Sequence, residues 1–261
     1  ESRLIMKILI RADGGKTIGM GHIMRTSVLA DELKEFAEVS YVCLEGEDYQ
    51  FGVNYLMQKG YHVFLISKEE MANKLKSIEY DCLIVDSYHV DLKLFQTLKK
   101  ANTLLGYIDD LKVEEYPIDF IINQNSYAKD LHYQEENYMK TFLGVKYALL
   151  RKEFQNKRKR FIRSDLKDIM ITVGGSDINR ITESLVFNIL KTKQDVTLHV
   201  VVGPAFPPHI LENIISPNIQ IYYNPSMSKL MESCDLAISA CGSTVYELAA
   251  CGTPTIGIIV A

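Results

Sequence analysis

The chain has 261 residues, 47% of them hydrophobic and 24% charged, with a formal net charge of −4. That balance belongs to a globular protein large enough for two lobes, and it excludes a disordered chain. It also supplies no basic excess to hold a nucleic-acid backbone, so an anionic ligand must be met by local amides and a few cations.

Glu1-Ser2-Arg3-Leu4-Ile5 read as a leader ahead of a natural start at Met6. Residues 7–12 then form an apolar run that ends at Asp13, followed by glycines and a helical pattern through Ile23, Val28, Leu29 and Leu33. Further strands are expected at 39–44, 63–66, 82–85, 104–108 and 120–122. Strands separated by helix-length segments imply βαβ units and a parallel sheet covered on both faces. The stretch from Arg151 to Lys167 breaks this rhythm with Lys152, Lys157, Arg158, Lys159, Arg160 and Arg163. Such a run reads as a solvated linker or helix face, and it sets the expected division into lobes of 1–155 and 156–261.

The second lobe restarts with a strand at 169–173, a Gly174-Gly175 turn and a helix over 178–190. Strands at 198–202, 219–222, 236–239 and 255–259 complete it, the last continuing from Pro254 toward Ala261. A covering helix normally follows such a strand, so this lobe is expected to lack its closing segment. The predicted class is α/β: two Rossmann-like lobes of mostly parallel sheet, facing each other across a cleft at their strand ends, where open α/β sheets bind ligands. Cys43, Cys82, Cys234, Cys241 and Cys251 are odd in number, widely spaced and free of any CxxC, which suits a reducing cytoplasm. Neither a secretory signal nor an apolar run of membrane-spanning length is present, so no membrane insertion is expected.

Four constellations carry chemistry. Gly19-Met20-Gly21-His22-Ile23-Met24-Arg25 follows the first strand and opens a helix. It fails the dinucleotide fingerprint at Met24, and Gly15-Lys16-Thr17 fails the P-loop because Ile10 stands where a glycine belongs. What survives is a flexible loop with His22 on a first helical turn, either a general base for water or an exposed first-turn residue. Cys241-Gly242-Ser243-Thr244 lets a diphosphate approach helix amides, with Glu247 positioned for ribose hydroxyls. The competing reading of Thr244-x-x-Glu247 is a capping box. Gly174-Gly175-Ser176-Asp177 is either a second backbone cradle or a turn with an N-cap. Asp86-Ser87-Tyr88-His89 and Asp109-Asp110 end strands and line the expected crevice, Asp109-Asp110 reading otherwise as a solvated turn and, as the minor alternative, a metal pair. The histidines show no metal-ligand spacing, and neither a metal nor a cofactor is expected.

These residues also occur in an ordered series. Arg11-x-Asp13, Gly19-x-Gly21-His22-x-x-Arg25, Val85-Asp86-x-Tyr88, Ile108-Asp109-Asp110, Asn123-x-Asn125-x-Tyr127-Ala128 and Tyr147-Ala148-Leu149-x-Arg151-x-Glu153-Phe154 are followed by the two glycine loops of the second lobe. The series resembles the UDP-sugar hydrolases of pseudaminic acid biosynthesis and the related spore-coat polysaccharide proteins, over nearly the whole chain from Met6. The resemblance implies a GT-B glycosyltransferase-like fold and release of UDP from a 2,4-diacetamido-2,4,6-trideoxy sugar, with water as acceptor.

By position, the resemblance makes His22 the base, Tyr88 a group near the reacting sugar, and Glu247 the ribose carboxylate. UDP is then expected on Gly174, Gly175, Ser176, Gly242, Ser243, Thr244 and Glu247. The sugar is expected near Gly19, Gly21, Arg25, Asp109 and Asn125. Asp13 is expected to orient the imidazole, from its nearness in sequence. The loop Cys241–Thr244 is closer to that of the UDP-N-acetylglucosamine transferase of peptidoglycan synthesis, which keeps an inverting transferase as the alternative. A nucleotide-sugar sensor with a dead site is the non-enzymatic one.

Overall fold

The computed structural model describes residues 5–133, 139–155, 160, 163–193 and 195–259. Residues 1–4 of the leader, 156–159 and 161–162 of the cationic stretch, and 260–261 of the expected last strand lie outside the described residues. Two compact units are present. One takes Ile18 and what precedes it together with His22–Leu149; the other takes Gly19–Gly21 and the chain from Leu150 onward.

In the first unit, β1 (Met6–Ala12), β2 (Ala37–Leu44), β3 (His62–Ile66), β4 (Cys82–Asp86), β5 (Leu104–Ile108), β6 (Phe120–Asn123) and β7 (Lys140–Leu143) form one sheet. Helices α1 (Gly21–Leu33), α2 (Gln50–Gln58), α3 (Met71–Ser77) and α4 (Leu92–Leu98) connect its earlier strands. The order is β3-β2-β1-β4-β5-β6-β7 and every pairing is parallel. The central strands are covered on both faces. Ile8, Leu9 and Ile10 of β1, and Leu83, Ile84 and Val85 of β4, are therefore buried without alternation. Leu9, Leu83, Val85, Phe95 and Leu105 share one core, and each such side chain contributes about 1.5–3 kcal/mol by leaving water.

The short strand β7 has no counterpart among the sequence-derived expectations. It is a half-buried edge strand that pairs only with β6, so its residues need not be continuously apolar.

The second unit carries β8 (Asp168–Thr172), α5 (Ile181–Thr192), β9 (Thr197–Val202), β10 (Ile219–Tyr223), α6 (Met227–Ser233), β11 (Leu236–Ser239), α7 (Thr244–Ala250) and β12 (Thr255–Gly257). Its sheet runs β10-β9-β8-β11-β12, again all parallel. Both sheets thus wind outward from their first strand, then cross back to place the fourth strand beside the first. The gap between β1 and β4, and likewise between β8 and β11, is the switch point at which such sheets bind ligands.

Several boundaries differ from the sequence reading by one to three residues, and two of these shifts have an evident local cause. Helix α5 starts at Ile181 rather than 178, because Arg180 is left-handed (φ 49°) and the Asp177 carboxylate accepts from Ile181 N and Thr182 N at 2.8 and 2.9 Å. Strand β12 stops at Gly257, because β11, against which it pairs, ends at the register partner Ser239.

Candidate active site

In the first unit the switch point sets Ala12 of β1 opposite Asp86 of β4. Helix α1 follows β1 and carries His22 and Arg25, one turn apart, on the face turned toward that point. His22 is 8% exposed, and its Nδ1 lies 2.6 Å from Oδ1 of Asp86, which is fully buried. Arg25 donates to the same carboxylate through Nε and Nη2, at 2.7 and 2.6 Å. Its Nη1 reaches both oxygens of Asp110 at 2.9 Å. Asp110 also accepts from Tyr88 Oη at 2.8 Å and Asn125 Nδ2 at 2.9 Å. The Tyr88 ring stands edge-on to the imidazole, with centroids 4.6 Å apart.

The electrostatics of Asp86 are a contest. Burial pushes its carboxyl up, but the Arg25 charge, together with hydrogen bonds from Arg25 and His22, outweighs burial and holds it below the usual carboxylate range. Burial likewise works against the Arg25 cation, and the two carboxylates more than offset it. An ionised Asp86 can only accept, so the proton between it and His22 belongs to Nδ1. In the neutral ring the lone pair is then on Nε2, which no described residue hydrogen-bonds.

Asp13 does not orient the imidazole. Its carboxylate accepts from Arg11 Nη2 at 2.6 Å and from Leu44 N at 2.7 Å, a buried pair inside the sheet. Asp86 occupies the position that nearness in sequence suggested for Asp13. Asp109 differs from expectation too. It is buried, accepting from the amides of Leu111 and Lys112 at 3.0 Å each and from Tyr133 Oη at 2.7 Å, so it holds its own turn. Its neighbour Asp110 joins the His22 cluster instead. A polar residue at a strand end flagged both Asp86 and Asp110, but not which of several such residues would reach His22.

Gly19 is left-handed (φ 73°), and Gly21 is the first residue of α1. Asn125 Nδ2 bonds Asn123 Oδ1 at 2.9 Å as well as Asp110.

In the second unit the two glycine loops leave the neighbouring strands β8 and β11, and so reach one switch point together. Gly174 adopts φ 99°, which the left-handed region reserves largely for glycine. Gly203, after β9, packs so closely on this turn that a Cβ there would lie 2.5 Å from the carbonyl oxygens of Gly174 and Gly175. Asp177, three residues before the N-cap position of Arg180, accepts from the first two amides of α5 with its carboxylate.

After β11, Ser243 precedes α7 in a helical conformation and makes no side-chain cap bond. Thr244 is already inside the helix, so Glu247 closes no capping box. Its carboxylate instead takes Arg151 in a two-point contact, Nε–Oε1 2.8 Å and Nη2–Oε2 3.0 Å. Arg151 also meets Glu153 at 3.0 Å and lies over the Phe154 ring. The cation that anchors Glu247 stands 96 positions away in sequence, which spacing could not reveal. Among the described residues no group of three or more His, Cys, Asp or Glu is arranged to hold a metal ion, and no helix is long and apolar enough to cross a membrane.

No family model matches the chain. Over 196 residues it is 33% identical to the UDP-2,4-diacetamido-2,4,6-trideoxy-beta-L-altropyranose hydrolase of Campylobacter jejuni, covering 72% of this chain and 67% of that protein. It is 30% identical over 269 residues to an uncharacterised protein of Methanocaldococcus jannaschii, covering 96% of this chain and 55% of that one. A Helicobacter pylori protein named as pseudaminic acid cytidylyltransferase and the same hydrolase matches at 30%, over 98% of this chain and 44% of its own length. The chain therefore spans roughly half to two thirds of these relatives.

Among solved structures, MurG of Acinetobacter baumannii superposes with a TM-score of 0.62 at 13% identity, over 98% of this chain and 80% of that one. The UDP-GlcNAc 2-epimerase of Neisseria meningitidis, bound to UDP-GlcNAc, does so at 0.56 and 12%, over 97% and 82%. Identities this low speak to the fold alone, which is the GT-B-like α/β fold expected from the sequence.

Proposed function

Since the chain belongs to the family of the UDP-2,4-diacetamido-2,4,6-trideoxy-beta-L-altropyranose hydrolases, we propose that it releases UDP from a UDP-2,4-diacetamido-2,4,6-trideoxyhexose. Water attacks the anomeric carbon with inversion, and the product serves nonulosonic (pseudaminic) acid or surface-polysaccharide biosynthesis. The observation that supports this reading is the buried 2.6 Å contact between His22 Nδ1 and Asp86. A carboxylate on Nδ1 selects the tautomer whose Nε2 accepts a proton, and it meets the imidazolium that forms when water is deprotonated. His22 is then the base and Asp86 its orienting partner. Tyr88 bounds the imidazole on one side, and Arg25 and Asn125, which meet on Asp110, are assigned to the sugar.

The second unit is assigned UDP. Glu247, held by Arg151, accepts from the ribose hydroxyls with the lone pairs that the guanidinium leaves. Gly174, Gly175, Ser176, Gly242, Ser243 and Thr244 supply backbone amides and hydroxyls to the diphosphate, which departs as an anion. The test is turnover of the diacetamido substrate in water with no other acceptor. Steady release of free sugar and UDP supports hydrolysis. Release only when an acceptor is added would favour the transferase, a reading that the Cys241–Thr244 loop keeps open.

A further inference from the structure

We propose that Asp110 is a positioning residue for the His22–Asp86 pair, acting on it through Arg25 and Tyr88. The proposal rests on the reading of His22 as the base. Its starting point is that a single guanidinium is shared by two carboxylates: Arg25 gives Nε and Nη2 to Asp86 and Nη1 to Asp110. With a neutral imidazole, Asp86, Asp110 and Arg25 together carry one net negative charge. Were Asp110 absent, Arg25 and Asp86 would neutralise each other as a closed pair. Asp110 draws the guanidinium partly to itself and leaves uncancelled negative charge beside His22, where a proton arrives during the reaction.

The second route is steric. Asp110 accepts from Tyr88 Oη at 2.8 Å, and the ring so tethered stands against the imidazole. Tyr88 is 60% exposed as a residue and has little packing of its own to hold it there. Asn125 Nδ2 at 2.9 Å and the Arg25 fork fix the Asp110 carboxylate in turn, and it is only 13% exposed.

The groups that face His22 are Asp86 from the end of β4, Arg25 from α1 and Tyr88 from the loop after β4. Asp110 faces Arg25 from the end of β5. Of the neighbouring carboxylates, Asp13 is neutralised by Arg11 and Asp109 is held by its own turn, so neither offsets a change at Asp110.

The experiment compares the wild-type chain with Asp110→Asn and Asp110→Glu by three readouts: the pH–rate profile, the histidine NMR titration and UDP affinity. The His22 signal is assigned by its loss in His22→Asn. In Asp110→Asn we expect turnover to fall about tenfold, less than the loss expected for removing a base outright. The acidic limb of the rate profile and the His22 midpoint should both move to lower pH, since an imidazolium beside Arg25 has lost a compensating charge. UDP affinity should stay unchanged, and Asp110→Glu should return both pH readouts toward wild type.

A folded Asp110→Asn whose His22 midpoint coincides with wild type overturns the proposal. A midpoint that moves while turnover stays at the wild-type level leaves the Asp110 coupling standing and overturns His22 as the base. Should the asparagine variant melt below the assay temperature, Asp110→Ser, smaller and uncharged, carries the same expectations for both pH readouts.

Discussion

Asp86 is a carboxylate with no exposure, and burial alone would keep it protonated. Arg25 reverses that outcome with two hydrogen bonds and a full charge, and His22 adds a third bond. The sign of the resulting pH dependence follows. A carboxyl held below its usual range in the folded state contributes stability above about pH 4, the unfolded value, and loses it as pH falls toward its own lower value. The stability advantage of wild type over Asp86→Asn should therefore be full at neutral pH and shrink below about pH 4, as thermal melts across a pH series would reveal. An advantage that grew on acidification would mean that Asp86 is protonated in the folded protein.

At the same scale, His22→Asn should keep its fold and its UDP affinity while hydrolysing at least about a hundredfold more slowly, the usual contribution of a positioned base. Turnover at the wild-type rate would remove His22 from the chemistry.

Individual elements separate groups that serve their own helix from groups left for a ligand. The Asp177 carboxylate caps two amides of α5, so Asp177→Ala should cost about 1 kcal/mol of stability and leave UDP affinity nearly unchanged. Glu247 lies within the first turn of α7 yet bonds no amide there; it is held by Arg151 from outside the helix. Glu247→Ala is accordingly expected to weaken UDP binding by about 1.5–3 kcal/mol, the range for hydrogen bonds to a charged acceptor. Calorimetric titration of both variants makes the contrast. Equal UDP affinity for wild type and Glu247→Ala would mean that the Arg151–Glu247 pair serves only the fold of its unit.

For the whole molecule, the question is which bond of the nucleotide sugar breaks. Cleavage within the diphosphate builds charge on phosphoryl oxygens, and enzymes usually meet it with metal ions and cationic clamps. Two arginines at the candidate sites are already paired: Arg25 with Asp86 and Asp110, Arg151 with Glu247 and Glu153. On the proposed reading, the glycine loops after β8 and β11 hold an intact departing UDP. In oxygen-labelled water the label should enter the sugar and not UDP, and the first-formed anomer should be opposite to the substrate's. Appearance of UMP and sugar phosphate would defeat the mechanism together with the role of His22. Chelator should leave the rate unchanged. A loss restored by magnesium or manganese would bring Asp109 and Asp110 forward as ligands.

Every strand except β7 was legible in the sequence, because a parallel sheet covered on both faces demands apolar runs and such runs announce themselves locally; β7, a half-buried edge strand, carries no such run. The glycine loops were legible for a similar reason: a left-handed turn such as Gly174 leaves its requirement in one residue type. The series of motifs identified the family, and from it the fold. Partnership was decided only in three dimensions. Asp13 is nine positions from His22 and Asp86 is 64, yet β1 and β4 are neighbours in the sheet, and it is Asp86 that reaches the imidazole. Arg151 and Glu247 meet across 96 positions, and a pattern that reads as a capping box is not one because α7 begins at Thr244 itself. Side-chain chemistry is written residue by residue along the chain. Which charge compensates which depends on strand order and register, and those are set by packing over the whole sheet.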